Sequence, residues 1–268
     1  MTASTHVFSQ LSLCGKVAVV TGGAQGLGYE MMLALAEAGA DVACIDLQVE
    51  NGAKAVSKIE TECKIKGSSW GCDVTNEEDV ARVFDQIEEH HGRIDILVAA
   101  AGINHVCPSL EYSAQGVRKI LDVNVAGTFN CMQQAAKHMI LKSIQGSIIA
   151  IASICAHVAT RPQTHIPYNA SKAAVHQLTK SLACEWAPHG IRVTSISPGY
   201  FDTAMNAQNI RQMGEQGVKT KQTWEAETPL GRMGKPHELK GAVVFLASDA
   251  AAYMTGTDIV VDGGYTSW

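Results

Sequence analysis

The feature that most constrains this chain is a regular alternation of two hydrophobic periods. Short apolar runs at residues 17–21, 42–46, 69–73, 94–99, 147–152, 191–196 and 259–261 alternate with helical patterns at 26–38, 49–63, 76–90, 113–141, 168–187 and 237–248. Most runs are unbroken rather than alternating polar with apolar, the pattern of strands covered on both faces. Strand and helix taken in turn imply a parallel sheet with helices on both sides. The expected fold is therefore α/β, a doubly wound parallel sheet of about seven strands. Gly39, Gly92 and Gly190 stand where helices should stop, and Asn76 with Asp79 reads as a helix start. No linker or short repeat divides the 268 residues, so one domain spanning 1–268 is expected. The exception to the pattern is the segment at about 200–232, rich in Gln, Asn, Thr and Gly, which reads as a long loop acting as a lid.

Charge narrows the class of partner. The chain has 21 Lys and Arg against 26 Asp and Glu, a net charge of −5, with no basic cluster. A nucleic-acid footprint and a polybasic membrane surface are both excluded on that balance. No stretch approaches the roughly 18 consecutive apolar residues of a membrane span, and the start MTASTHVFSQLSLCGK lacks the charged-then-apolar signal pattern. A cytoplasmic protein acting on a small molecule is expected. The eight cysteines contain no CxxC pair and the histidines form no HExxH, so no metal is expected.

The run VAVVT leads at once into Gly22, Gly23, Ala24, Gln25, Gly26, Leu27 and Gly28, and then into the helical stretch YEMMLALAEAG. A glycine-rich turn between a strand and a helix lets backbone N–H groups approach a pyrophosphate, and the helix dipole favours its charge. This makes the sheet a Rossmann-type dinucleotide fold. Asp46 closes the second apolar run, where such folds place a carboxylate on the adenosine ribose hydroxyls. A carboxylate there repels a ribose 2′-phosphate, and nothing basic stands beside it, since Gln25 occupies the turn and Leu47 and Gln48 follow the acid. NAD is the expected cofactor, in preference to NADP.

Further motifs follow in order: Ala100-Ala101-Gly102, Asn124, Ser153, Tyr168 with Lys172 four residues on, and Pro198-Gly199. Together with the glycine turn they resemble the short-chain dehydrogenase/reductase family, from about Lys16 to the end, including FLASDAAAYMTGTDIVVDGG. The residue chemistry agrees. Tyr168 and Lys172 lie one turn apart on one helix face, just after Pro167 at a helix start. Alcohol oxidation needs a base, and a phenol with pKa near 10 becomes one when a neighbouring ammonium lowers that value. In the reducing direction the same phenol donates the proton. Ser153 ends an apolar run and is placed to hold the substrate oxygen.

Other roles come from the resemblance alone. It implies that Lys172 also binds the nicotinamide ribose and that Asn124 holds a water linking Lys172 to solvent. It gives Asp73 and Val74 to the adenine ring, Ala101 and Gly102 to the adenine ribose, and Pro198, Gly199 and Thr203 to the nicotinamide. It implies a homotetramer, and the apolar stripe of 168–187, with Ala170, Ala173, Val175, Leu182 and Trp186, is broad enough to serve both sheet and neighbour. Two departures stand out. The usual Asn before Ala-Gly after the fourth strand is replaced in Ala99-Ala100-Ala101-Gly102, which removes a side-chain hydrogen bond steadying the sheet. The interval from Ser153 to Tyr168 is slightly long and carries His157, Arg161, Gln163 and His165.

Those polar residues, with Asn104, are the substrate-contact candidates. SLACEWAPHGIRVTSISPGYFDT and YMTGTDIVVDGGYTSW look most like the fungal polyol dehydrogenase and ketose reductase branch. That resemblance implies an oxidoreductase moving hydride between NAD(H) and a sugar alcohol or ketose of arabinitol, mannitol or xylulose type. Two alternatives stay open at this point. Met205, Met213 and Trp224 in the lid suit a reductase of an apolar or aromatic ketone, and a catalytically idle dinucleotide sensor would keep the same turn.

Overall fold

The computed structural model describes residues 6–203, 206, 207, 210, 211 and 213–268. Seven parallel strands form one sheet, in the order β3-β2-β1-β4-β5-β6-β7. They are β1 (Val17–Thr21), β2 (Asp41–Asp46), β3 (Gly67–Gly71), β4 (Ile96–Ala99), β5 (Ser147–Ile151), β6 (Arg192–Pro198) and β7 (Asp258–Val261). The central strands β1, β4 and β5 are buried at every position, which is why their sequences show no alternation. Hydrophobic burial on both faces is the main favourable term for such a sheet.

A four-residue helix α1 (Val7–Gln10) precedes the sheet, and two helical layers cover it. On one face, α2 (Gly26–Glu37), α3 (Val49–Cys63) and the helix Lys240–Ala247 pack Met31, Leu35, Ile59, Val243 and Leu246 onto Val20, Val42, Val98 and Ile149. On the other, α4 (Glu77–His91), α6 (Thr128–Leu141) and α7 (Ile166–Trp186) pack Phe84, Ile87, Met132, Met139, Val175 and Trp186 onto Val19, Ile45, Leu97 and Ile148. The Asn76 side chain caps α4 by accepting from the Asp79 N–H at 3.1 Å. Gly39, Gly92 and Gly190 have φ of +100°, +82° and +75°, as helix-stop positions require.

Three sequence expectations need correction. The third strand lies two residues earlier than 69–73, because Asp73 turns the chain, its Oδ1 accepting from the Thr75 N–H at 3.0 Å. The helix expected over 113–141 is broken into α5 (Ala114–Leu121), a wider π-turn (Asp122–Gly127) and α6, with Asn124 at the break. The segment at 200–232 is not irregular throughout, since Glu215–Glu227 is a helix, α8. Its sequence, EQGVKTKQTWEAE, buries only Gly217 and Thr220 and so lacks an apolar stripe. Lys240–Ala247, named above, is then α9.

The strand order reverses between β1 and β4, which are hydrogen-bonded neighbours although β2 and β3 separate them in sequence. Loops leaving the carboxyl ends of these strands part there and open a crevice, the place where open α/β sheets bind ligands.

Candidate active site

The glycine turn sits at the head of that crevice. Gly22 has φ +69°, and a Cβ on it would lie 3.0 Å from the backbone of Ala101, so the turn and the loop after β4 are in close contact. A Cβ on Gly28 would come within 2.1 Å of the Gly22 carbonyl oxygen, so only glycine lets α2 start this close to β1. The first turn of α2 has no side-chain cap: Gln25 at the cap position is extended and accepts nothing from it. Those amide N–H groups are open to an anion. Asp46 reaches across from β2, its Oδ2 accepting from the Ala24 N–H at 3.1 Å and its Oδ1 from the Gln48 N–H at 2.9 Å. Its charge is thereby fixed beside the turn.

The missing asparagine after β4 has a substitute in place. Thr21 Oγ1 accepts from both the Ala100 and Ala101 N–H groups at 3.1 Å, so β1 holds the loop that a side chain on that loop was expected to hold. Next to it, the Asn124 side chain grips Ile103 from both sides, accepting from its N–H at 2.8 Å and donating to its carbonyl at 2.9 Å. Asn124 also donates to Ser171 Oγ at 2.9 Å, and Ser171 donates to the Tyr168 carbonyl at 2.7 Å. The main-chain carbonyl of Asn124 accepts from Thr128 Oγ1 at 2.7 Å. The π-turn is the local cost of aiming this one amide at Ile103 and α7 together.

On α7, Tyr168 and Lys172 face the ends of β4 and β5. Lys172 is buried and donates to the Ile151 carbonyl at 2.7 Å, with its Nζ 5.6 Å from the Tyr168 ring centre. Ser153, just past β5, is buried and accepts from the Cys155 N–H at 3.2 Å. A Cβ on Gly102 would stand 3.3 Å from Asn124 Oδ1 and 3.6 Å from Lys172 Nζ. The turn, the β4 loop, Asn124, Lys172, Tyr168 and Ser153 thus form one continuous chain of contacts.

The electrostatics of Tyr168 differ from the sequence expectation. Burial pushes its phenol above the usual value, the Cys155 thiol adds to that, and the Ser153 hydroxyl pulls the other way. Cys155 is itself raised by burial, so it is a neutral thiol at neutral pH, and burial is the largest influence on the phenol. Burial also lowers Lys172 to about 8. The ammonium is held on the Ile151 carbonyl rather than at the phenol oxygen, and it does not bring the phenol down in the chain alone.

The remaining residues expected to bind the cofactor follow the carboxyl ends of β3 and β6 or start α2. Asp73 Oδ1 accepts from the Thr75 hydroxyl at 2.8 Å, and the Val74 carbonyl accepts from Asn130 at 3.1 Å. Gly199, after Pro198, donates to the Val261 carbonyl at 2.9 Å, and a Cβ there would lie 2.7 Å from Asp262 Cα. Thr203 Oγ1 accepts from the Asn206 N–H at 3.2 Å. Leu27 is half-buried at the start of α2. Of the residues expected in a lid, Met205 lies outside the described residues, and Met213 is exposed.

Of the five substrate-contact candidates, Arg161 pairs with Glu227 at 2.8 Å, and the other four take different positions. Asn104 is exposed and donates to His165 Nδ1 at 3.1 Å. His165 is buried; with Nδ1 accepting, its Nε2 carries the proton and donates to Thr160 Oγ1 at 2.8 Å. Burial lowers its pKa, which keeps the ring neutral, and the ring packs 5.3 Å from that of Tyr168. Gln163 donates to the Tyr200 hydroxyl at 2.7 Å and accepts from the Trp224 indole at 2.9 Å, while Tyr200 and Trp224 stack at 4.5 Å. Gln163 therefore ties the mouth loop to α8. His157 turns away to Ser197 and Asp258 at the sheet edge. Thr21, Ser171, Thr160 and Tyr200 were not legible as site residues; only their adjacency to Gly22, Tyr168, His165 and Gly199 marks them.

Residues 22–266 match the family model described as enoyl-(acyl carrier protein) reductase. A short-chain type dehydrogenase/reductase from Mycobacterium marinum superposes with a TM-score of 0.90 at 41% identity, covering 97% of this chain and 99% of that one. The chain belongs to the short-chain dehydrogenase/reductase family. Within it, the D-arabinitol 2-dehydrogenase (ribulose-forming) of Scheffersomyces stipitis is 38% identical over 276 residues, 98% of each chain. An NADP-dependent mannitol dehydrogenase of Hypocrea jecorina is 39% identical over 267 residues, 98% of this chain and 97% of that one.

As a short-chain dehydrogenase/reductase, the chain is an oxidoreductase that binds a nicotinamide dinucleotide and acts on a small molecule. Its own residues fit that group. The uncapped start of α2, the bare approach over Gly28 and the carboxylate of Asp46 are an anion cradle and a hydroxyl acceptor side by side. Among the described residues, no helix is long and apolar enough to cross a membrane.

Proposed function

We propose that the chain is an NAD(H)-linked polyol dehydrogenase, interconverting a sugar alcohol and a ketose. The observation that carries the reading is the meeting of Tyr168, Ser153 and Lys172 against the Ala101–Gly102 loop, which itself touches the glycine turn. The polyol class is supported by the relatives named arabinitol and mannitol dehydrogenase, and by the exposed amide of Asn104 at the mouth.

The residues divide the work. Gly22, Gly26, Gly28 and the first amides of α2 hold the pyrophosphate, and Asp46 takes the adenosine ribose hydroxyls. Asp73 and Val74 lie at the adenine, Ala101 and Gly102 at its ribose, and Pro198, Gly199 and Thr203 at the nicotinamide. The dinucleotide, when bound, would supply the hydride acceptor for alcohol oxidation and the hydride donor for ketone reduction. Ser153 holds the substrate oxygen by hydrogen bond. Tyr168 moves the proton: in ketone reduction its neutral, half-buried phenol donates, and in alcohol oxidation the phenolate accepts. Lys172 binds the nicotinamide ribose, and Asn124 keeps α7 and the Ile103 loop in register. His165 and Gln163 act by position, the first backing the Tyr168 ring and the second fastening the mouth loop to α8. The chain works as one domain in the cytoplasm, with 200–232 as the lid.

NAD in preference to NADP rests on Asp46, whose fixed carboxylate repels a 2′-phosphate. Self-association into a homotetramer is supported by α7, whose Val175, Leu182 and Trp186 cover the sheet while Ala170 and Ala173 stay exposed. Sedimentation showing only monomer would exclude it. The apolar-ketone alternative loses support: Met213 is exposed, and the Trp224 face is covered by Tyr200. The test of the substrate class is turnover of pentitols, hexitols and bulky cyclic ketones with NAD(H) and NADP(H), followed by absorbance of the reduced cofactor. Preference for the polyols supports the reading. Preference for the cyclic ketones overturns the substrate class, and no hydride transfer with either dinucleotide leaves the idle-sensor alternative.

A further inference from the structure

The sheet edge beyond the crevice carries a second polar cluster that the proposed chemistry does not use. Asp258 opens the edge strand β7 and pairs in register with Ser195 on β6. Its side chain is only 6% exposed, an unusual place for a carboxylate unless its charge is matched. Ser195 and Ser197, both fully buried on one face of β6, donate to Oδ1. His157, from the loop after Ser153, places Nε2 3.0 Å from Oδ2. His176, one turn beyond Lys172 on α7, points Nδ1 at Oδ1 from 3.9 Å.

That last distance is too long for a hydrogen bond. Nδ1 of His176 is nevertheless buried and has no hydrogen-bond partner. An orphaned ring nitrogen facing a buried carboxylate across a gap needs an explanation. The three groups offer one ligand atom each, all within 4.8 Å of one another, and the two imidazoles stand nearly perpendicular with centres 5.0 Å apart.

We propose that His157 Nε2, His176 Nδ1 and the Asp258 carboxylate form a divalent transition-metal site, with zinc the best-suited ion and a fourth position open to water. Two neutral imidazoles and one carboxylate are the nitrogen and oxygen donor set zinc takes. Bonds of about 2.0–2.2 Å set tetrahedral ligand atoms about 3.4 Å apart. The ligand atoms lie between 3.0 Å and at most 4.8 Å apart, so small side-chain rotations would bring them to that value, and His157 is exposed enough to make one. Ser195 and Ser197 are the hydrogen bonds that orient the carboxylate, as outer partners do at metal sites. The ion would brace the β7 edge, α7 and the loop that starts at Ser153. No spacing rule reveals such a site, because its ligands come from three separate elements.

The test uses the full chain without a histidine tag, stripped by chelator and titrated with Zn²⁺ by calorimetry and with Co²⁺ by visible absorption. One equivalent per chain is expected, with the absorption of a low-coordinate cobalt centre. Saturating zinc should raise the unfolding midpoint by about 5 °C. His176→Gln and His157→Gln should each weaken binding at least tenfold, while the exposed control His189→Gln leaves it unchanged. His176→Gln removes a nitrogen that has no hydrogen-bond partner in the metal-free chain, so its metal-free midpoint should stay within about 2 °C of wild type. Absence of stoichiometric binding, or wild-type affinity in both variants, would overturn the proposal. These readouts do not involve turnover, so they stand apart from the dehydrogenase reading.

Discussion

Replacing Asp46 by Asn changes one charge at the point where the two dinucleotides differ. The wild-type carboxylate is pinned by the Ala24 and Gln48 N–H groups at 3.1 and 2.9 Å, so it cannot swing away from an incoming group. A ribose 2′-phosphate brings close to two negative charges. Each pair of like unit charges about 4 Å apart costs about 1 kcal/mol in bulk water and about 4 kcal/mol near a protein surface. Two such pairs in the weaker limit give about 2 kcal/mol, roughly a 30-fold preference against NADP. Asn keeps one acceptor oxygen but loses a hydrogen bond, which weakens both dinucleotides alike and cancels in their ratio. The assay is kcat/KM for NADH and NADPH with one ketose, at low and high salt. Wild type should favour NADH by about 30-fold or more, less so at high salt, and Asp46→Asn should cut the ratio at least tenfold. A wild-type preference for NADPH, or a ratio unmoved by the substitution, would refute the electrostatic reasoning.

Two further outcomes follow from the same geometry. Gly28→Ala puts a methyl 2.1 Å from the Gly22 carbonyl oxygen, so the turn must shift; dinucleotide affinity should fall at least tenfold by fluorescence titration, with a lower unfolding midpoint. Lys172 carries a linkage signature, since burial in the folded chain lowers its pKa from the ordinary lysine value of 10.5 to about 8. Between those values the unfolded chain binds the extra proton, so the Lys172 contribution to stability grows as pH rises from 8 towards 10.5. Denaturant unfolding of wild type and Lys172→Met should therefore show a difference that shifts in favour of wild type across that window, and a constant difference would be the contrary result.

The sheet was legible because its signal is local. An unbroken run such as VAVVT has few other homes, and a glycine turn between strand and helix fixes where the crevice must be. The shared face of Tyr168 and Lys172 was legible for the same reason, since one helical turn separates them. What escaped depends on contacts between distant segments. Helix α8 has no apolar stripe, and it is fastened through Trp224 to Tyr200 and Gln163 instead. The π-turn arises because Asn124 must reach Ile103 and Ser171 together. Thr21 replaces a missing asparagine from another strand, which no reading of residues 99–102 alone reveals. The direction of the Tyr168 shift turned on where Lys172 Nζ points, and spacing gives the face but not the aim.

The most direct measurement is single-turnover hydride transfer by Tyr168→Phe, read alongside its dinucleotide affinity. The substitution removes one oxygen and leaves the ring that packs on His165 and near Lys172. General acid–base catalysis of this kind is worth about 10²–10⁴-fold. The hydride-transfer rate should fall by that factor while the dissociation constant for the cofactor stays within about threefold of wild type. A variant that transfers hydride at close to the wild-type rate would show that the phenol does not move the proton.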